Sequence, residues 1–214
     1  MRHPLTVTLL VLGLTAGIPT PAAQVSIGIN LPGISIGINQ PTYPELVPVP
    51  GYPVYYAPGA SCNYFFYDGG YWVFQGDNWY VSSWFNGPWR AVAPEYVPSF
   101  VLRVPVRYFR VPPPYFRGWA PDGPPRWGDH WGPAWQNRRA GWDHWDRHAA
   151  PPAAPLPHYQ RDFEGARYPR EEQQGQLHHD HYSYQPKEHW QSAPPPGRGG
   201  DPRGGRHGKN PWEP

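Results

Sequence analysis

Cysteine is all but missing from this chain: Cys62 is the only one, so no internal disulfide can staple the fold. It lies too far from the N-terminus to carry a lipid behind a leader. Packing or a turn is its expected use, with a dimeric disulfide as the alternative. Lysine is equally scarce, at Lys187 and Lys209 alone, so arginine supplies nearly all the positive charge and is the better partner for aromatic faces. The β-branched residues stop early. The last Ile is Ile38, the last Thr is Thr42 and the last Val is Val111, which confines a sheet core to the chain before about residue 117.

Other absences narrow the function. No histidine falls between His3 and His130, so a Ser-His-Asp or Cys62-His arrangement would have to borrow one from the second half. No Gly-x-Gly-x-x-Gly follows a strand pattern and no phosphate loop occurs, so no cofactor is expected. The acids of 24–121 are Glu45, Asp68, Asp77 and Glu95. Asp68 and Asp77 sit at turn positions, and pairing them for glycoside cleavage is only a guess. The formal charge of +2 gives no general pull toward nucleic acid or an anionic membrane. The chain is therefore read as not an enzyme and not a nucleic-acid binder.

What is abundant is proline, glycine and aromatic rings: 33 Pro and 24 Gly among 214 residues, with 16% aromatic. The first two signal low complexity and the third signals a core, and they occupy different segments. Met1–Ala23 has the three parts of a secretory signal peptide: a short basic start, the uncharged run Leu5–Ala16, and small residues at the end. Cleavage is expected after Ala22 or Ala23, no later stretch reads as a membrane span, and the destination is the periplasm, the outer envelope or the medium. Residues 24–58 form an extended arm. Its first part repeats Ser26-Ile27-Gly28-Ile29-Asn30 as Ser35-Ile36-Gly37-Ile38-Asn39, two short strand candidates, and its second part is dense in proline. Pro53-Val54-Tyr55-Tyr56-Ala57 can still pair along a sheet edge.

Residues 59–121 carry the fold. Aromatic runs alternate with Asp68-Gly69-Gly70, Gln75-Gly76-Asp77-Asn78 and Asn86-Gly87-Pro88, residues that tolerate positive φ. The pattern predicts an antiparallel meander with strands near 63–67, 71–75, 78–84 and 89–92. Phe100, Leu102, Val104, Val106 and Tyr108 alternate with Val101, Arg103, Pro105 and Arg107, which predicts a further edge strand over 100–108.

In 122–148, Trp127, Trp131, Trp135, Trp142 and Trp145 fall within one quadrant at about 100° per residue. An amphipathic helix is expected over 133–146, with a looser turn at 126–131, its Trp stripe docking on the sheet. From 149 to 214 large aliphatic residues are confined to Leu156 and Leu177, and this segment is read as a disordered tail, dispensable for folding. The expected class is thus a small α+β domain of roughly 75 residues, near the lower size for a self-sufficient core.

The strings Tyr64-Phe65-Phe66-Tyr67-Asp68-Gly69, Gly76-Asp77-Asn78-Trp79-Tyr80, Trp84-Phe85-Asn86-Gly87-Pro88-Trp89, Phe100–Tyr108 and Pro125-Arg126-Trp127-Gly128 resemble a group of exported Tyr/Trp/Pro-rich proteobacterial proteins. A looser similarity runs to envelope proteins with Tyr-x-Trp-Gly-x-Trp repeats. The nearest strings here, Trp127–Trp131 and Trp131–Trp135, are one residue longer between tryptophans. The resemblance implies a cell-envelope context and no mechanism.

The leading functional expectation is an exported, non-enzymatic structural or binding module that uses aromatic surfaces toward an envelope glycan or protein. Strand alternation should leave some of Trp72, Trp79, Trp84 and Trp89 outside, and these four are the candidate binding residues. The alternative is weak metal binding. His144 and His148 are four apart on the expected helix, and His178, His179 and His181 cluster in the tail.

Overall fold

The computed structural model describes residues 37–146, 149–189 and 196. The leader pattern, the first Ser-Ile-Gly-Ile-Asn copy, the start of the second, and His148 lie outside the described residues. The rest of the second copy, Gly37–Asn39, is irregular and not a strand.

Six antiparallel strands form one meander in sequence order: β1 (Val47–Pro48), β2 (Tyr55–Tyr56), β3 (Asn63–Tyr67), β4 (Gly70–Gln75), β5 (Asn78–Ser82) and β6 (Arg90–Val92). The proline-rich arm therefore supplies the sheet edge, and β2 pairs with β3 through Tyr55↔Phe66 and Tyr56↔Phe65. The two tight turns behave as their residues require. Asp68 and Gly69 take φ of 48° and 80°, while Gly76 and Asp77 take 55° and 64°. This left-handed pair of residues matches the twist of the strands it joins.

Register sorts the side chains cleanly. Phe65, Trp72 and Val81 share one face with Phe74, Trp79 and Val92, while Tyr64, Val73 and Tyr80 share the other with Phe66 and Tyr71. Every residue of β3 and the first five of β4 are buried, so both faces are covered.

The first face is covered by 97–142. Here the expected strand over 100–108 is absent. Ser99–Leu102 is a four-residue helix (α1), and Val106–Tyr108 is a 3-10 turn. Pro98 and Pro105 bracket the segment, and Pro105 has no N–H for a ladder. The neighbouring amides bond elsewhere: Val106 N–H to Gly123 O at 3.0 Å and Arg107 N–H to Pro121 O at 3.0 Å. Arg103 is turned inward, donating to the carbonyls of Trp142 and His144.

Helix α2 (Trp127–Arg138) starts and ends earlier than the sequence suggests. It includes the expected loose turn, breaks direction at Gly132 (φ 82°, ψ 177°) just before Pro133, and stops at Arg138. Only glycine adopts that backbone geometry freely. The stripe docks nonetheless. Trp127, Trp135 and Trp142 are buried, Trp131 and Trp145 half-buried, and Trp127 meets Phe74 and Trp79 edge-on at 5.2 and 5.9 Å. Trp142 lies past the helix end and is held by its Nε1–H to Gln136 Oε1 at 3.1 Å.

The second face corrects the reading of the tail as disordered over 149–189, while 190–195 and 197–214 lie outside the described residues. Residues 149–189 are ordered, with 3-10 turns at His158–Phe163 and Gly165–Arg167 and a helix α3 at Glu171–His181. Gln160 is fully buried. Its Oε1 accepts from Tyr71 OH and Phe85 N–H, both at 3.1 Å, and its Nε2 donates to Ser83 O at 2.9 Å. Trp84 is enclosed edge-on by Tyr159, Phe163 and Tyr168 at 5.7–5.9 Å, and its Nε1–H reaches Gln174 O at 3.2 Å. Tyrosine rings and glutamine amides do here what aliphatic side chains do elsewhere.

The end of this segment straps the β3–β4 turn. Asp68 accepts from Tyr184 OH (2.7 Å), Lys187 N–H (2.9 Å) and Glu188 N–H (2.7 Å), and Tyr67 OH donates to Glu188 Oε1 (2.7 Å). Burial holds the Glu188 carboxyl above its ordinary range, against the pull of the Tyr67 hydroxyl and of Arg139 and Arg103. A carboxyl raised in the attached state binds its proton more tightly there, so attachment is favoured at acid pH and weakens as pH rises through the raised value. Glu188→Gln, which keeps the acceptor for Tyr67 without the charge, should hold the strap down at pH 8. Trypsin should then cut the variant after Lys187 several-fold more slowly than the wild type; equal rates would contradict this.

Candidate functional site

The far end of β4 is where the sheet, the 109–116 segment and α2 meet. Asn63, the first residue of β3, joins the first two: its Nδ2 donates to Phe74 O (3.1 Å) and Val111 O (2.8 Å), and its Oδ1 accepts Val111 N–H (2.8 Å). The Gly76-Asp77 turn projects the Asp77 side chain over this junction. Its Oδ1 accepts from Tyr115 OH at 2.6 Å and from His130 Nε2 at 2.7 Å. His130 in turn lies flat on Tyr115, with ring centroids 3.9 Å apart and planes within 8°. The carboxylate is thus fixed although its side chain is 53% exposed.

Beside this triad runs a groove of about 560 Å³, bounded by Gly37 and by the segments 61–63, 74–77 and 111–115. Val111, 54% exposed, with Pro112, Pro113 and Pro114, forms one apolar wall. Among the described residues Asp77 is the only carboxylate in the lining, and no Lys, Arg or His is part of it. Cys62 also lines the groove, but burial pushes its thiol up to about 11, so it stays protonated near neutral pH and is a poor nucleophile. The arrangement offers shape, an apolar wall and a fixed acceptor.

The residues expected to bind are elsewhere. Trp72, Trp79, Trp84 and Trp89 are all buried: Trp72 and Trp79 in the core of the first face, Trp89 in that of the second, and Trp84 under Tyr159, Phe163 and Tyr168. With both sheet faces covered, neither side of the alternation reaches solvent, so these four are core and not a ligand surface.

The metal expectation gains no support among the described residues, and His148, the expected partner of His144, lies outside them. Among the described residues no group of three or more His, Cys, Asp or Glu is placed to hold an ion. His144 follows the end of α2 and is not on a helix. On α3, His178 meets Tyr159 OH through Nδ1 at 3.0 Å, with burial lowering its pKa; His181 stacks on Tyr159, and His179 is exposed. Asp68 and Asp77 sit at opposite ends of β4 and make no catalytic pair.

Asp77 was legible only as a turn residue, and His130 and Tyr115 carried no motif. Their one sequence signal is a polar ring set within aromatic and proline-rich strings. Among the described residues no helix is long and apolar enough to cross a membrane. The chain matches no family model, no curated protein and no solved structure.

Proposed function

We propose that this chain is an exported, non-enzymatic cell-envelope protein that binds an envelope partner, glycan or protein, through the groove at the far end of β4. The observation that carries this reading is the groove itself. It has a fixed carboxylate and an apolar wall, while the one thiol in its lining is held protonated by burial. Such a set of groups recognises a partner without activating one. The leader pattern of Met1–Ala23 supports export, and the resemblance to exported aromatic-rich proteins supports an envelope setting.

The test has two arms. Expressed with its own leader, the protein should be recovered from the periplasm, outer envelope or medium with a mature N-terminus at Ala23 or Gln24. It should co-sediment with isolated envelope, and Val111→Arg, a change on an exposed lip, should weaken that at least tenfold. A cell-associated protein that keeps Met1 would overturn export. Undiminished co-sedimentation of the variant would overturn the groove as the binding site.

A further inference from the structure

The groove's charge is of one sign. Pro112, Pro113 and Pro114 have no N–H, and the Val111 N–H is already given to Asn63 Oδ1. That wall offers apolar surface and few open backbone groups, since the Val111 carbonyl already accepts from Asn63 Nδ2 and the Pro113 and Pro114 carbonyls accept from the Phe116 and Arg117 N–H groups. Among the described residues Asp77 is the one charged side chain in the lining, and His130, which bonds its Oδ1, stands behind it and not in the groove. Both bonds that fix Asp77, from Tyr115 and His130, fall on Oδ1. The carboxylate is therefore oriented before any ligand arrives, which lowers the entropy cost of pairing with it.

The complement of an apolar groove whose one charged lining group is anionic is an apolar, cationic ligand. We propose that the groove takes an extended peptide segment in which apolar residues flank an arginine or lysine, with Asp77 as the counter-charge. This rests on the groove being the binding site and narrows its partner to protein. A phosphorylated or otherwise acidic glycan would meet like charge at Asp77. A neutral glycan would want an open ring face for stacking, and one face of Tyr115 is taken by His130. The volume, about 560 Å³, lies within the roughly 300–1,000 Å³ of ordinary ligand clefts.

The experiment uses the full mature chain and fluorescence anisotropy with three probes at low salt. They are a labelled hexapeptide alternating valine and arginine, the same peptide with glutamate for arginine, and labelled chitotetraose. The arginine peptide should bind at least tenfold more tightly than either of the others. Asp77→Asn keeps a residue that tolerates the left-handed turn, and should cut the preference over the glutamate peptide to threefold or less. Val111→Arg should abolish arginine-peptide binding without changing the melting temperature. Equal binding of the two peptides, a preference that survives Asp77→Asn, or tighter binding of chitotetraose would overturn the inference. All three leave the groove standing as a binding site, whereas loss of the groove itself is read separately from envelope co-sedimentation of Val111→Arg.

Discussion

Trp127→Ala is expected to cost about 3–5 kcal/mol, the range for a fully buried tryptophan. Trp127 is fully buried, and its ring meets Phe74, Trp79, Phe109 and Phe116 edge-on or tilted and Trp131 face to face. Its Nε1–H also satisfies the Leu102 carbonyl at 3.0 Å, which truncation would leave buried and unpaired. Against a total stability of about 5–15 kcal/mol this is a large share. For a domain of this size the melting temperature should fall by about 6–20 °C. Trp119, half-buried and stacked on Phe116 at 4.6 Å, is the control: Trp119→Ala should cost far less. A melting point unchanged by Trp127→Ala would mean that α2 does not close the first face.

Truncation before Ala149 should be worse still. It removes Gln160, Tyr168, Gln174, Tyr182 and Tyr184, and with them the cover over Tyr71, Trp84 and Phe85. Tyr71 OH, Phe85 N–H and Ser83 O lose the glutamine that pairs them. The truncated chain should lose cooperative thermal unfolding and shift its tryptophan emission to the red as Trp84 meets water. Cooperative unfolding at the wild-type temperature would show that the segment after 149 is a passenger.

Why the meander was legible and its cover was not follows from the residues involved. Asp68-Gly69 and Gly76-Asp77 allow few conformations other than tight turns, so β3, β4 and β5 could be placed almost to the residue. The strand over 100–108 failed because its alternation was real but proline-bracketed, and a short helix buries Val101, Leu102 and Val104 equally well. The Trp stripe survived a kink at Gly132, since its docking depends on which side the rings occupy and not on one unbroken helix.

The errors about the binding residues and the tail share one cause. Uninterrupted runs such as Tyr64-Phe65-Phe66-Tyr67 and Tyr71-Trp72-Val73-Phe74 are what a strand buried on both faces looks like. A sheet wet on one side alternates instead. Two-faced burial demands a second cover, and only the segment after 149 remained to supply it. Its tyrosines at 159, 168, 182 and 184 and Phe163 were the signal. Counting only aliphatic residues hid it.

The groove was not legible because it is made of contacts between distant segments. Tyr115 and His130 lie 38 and 53 residues from Asp77 in sequence, and only the packed fold brings them to it.

The central claim is that both faces of the sheet are closed, so that their rings are core and the groove is what we propose for recognition. Amide hydrogen exchange on the full mature chain, read segment by segment, tests it most directly. The account predicts that the amides of α3 exchange far more slowly than an unfolded peptide, and that those of β3 and β4 share the slowest class. Exchange across 158–181 at the rate of an unfolded chain would contradict it, and would return the rings of the second face to solvent as a binding surface.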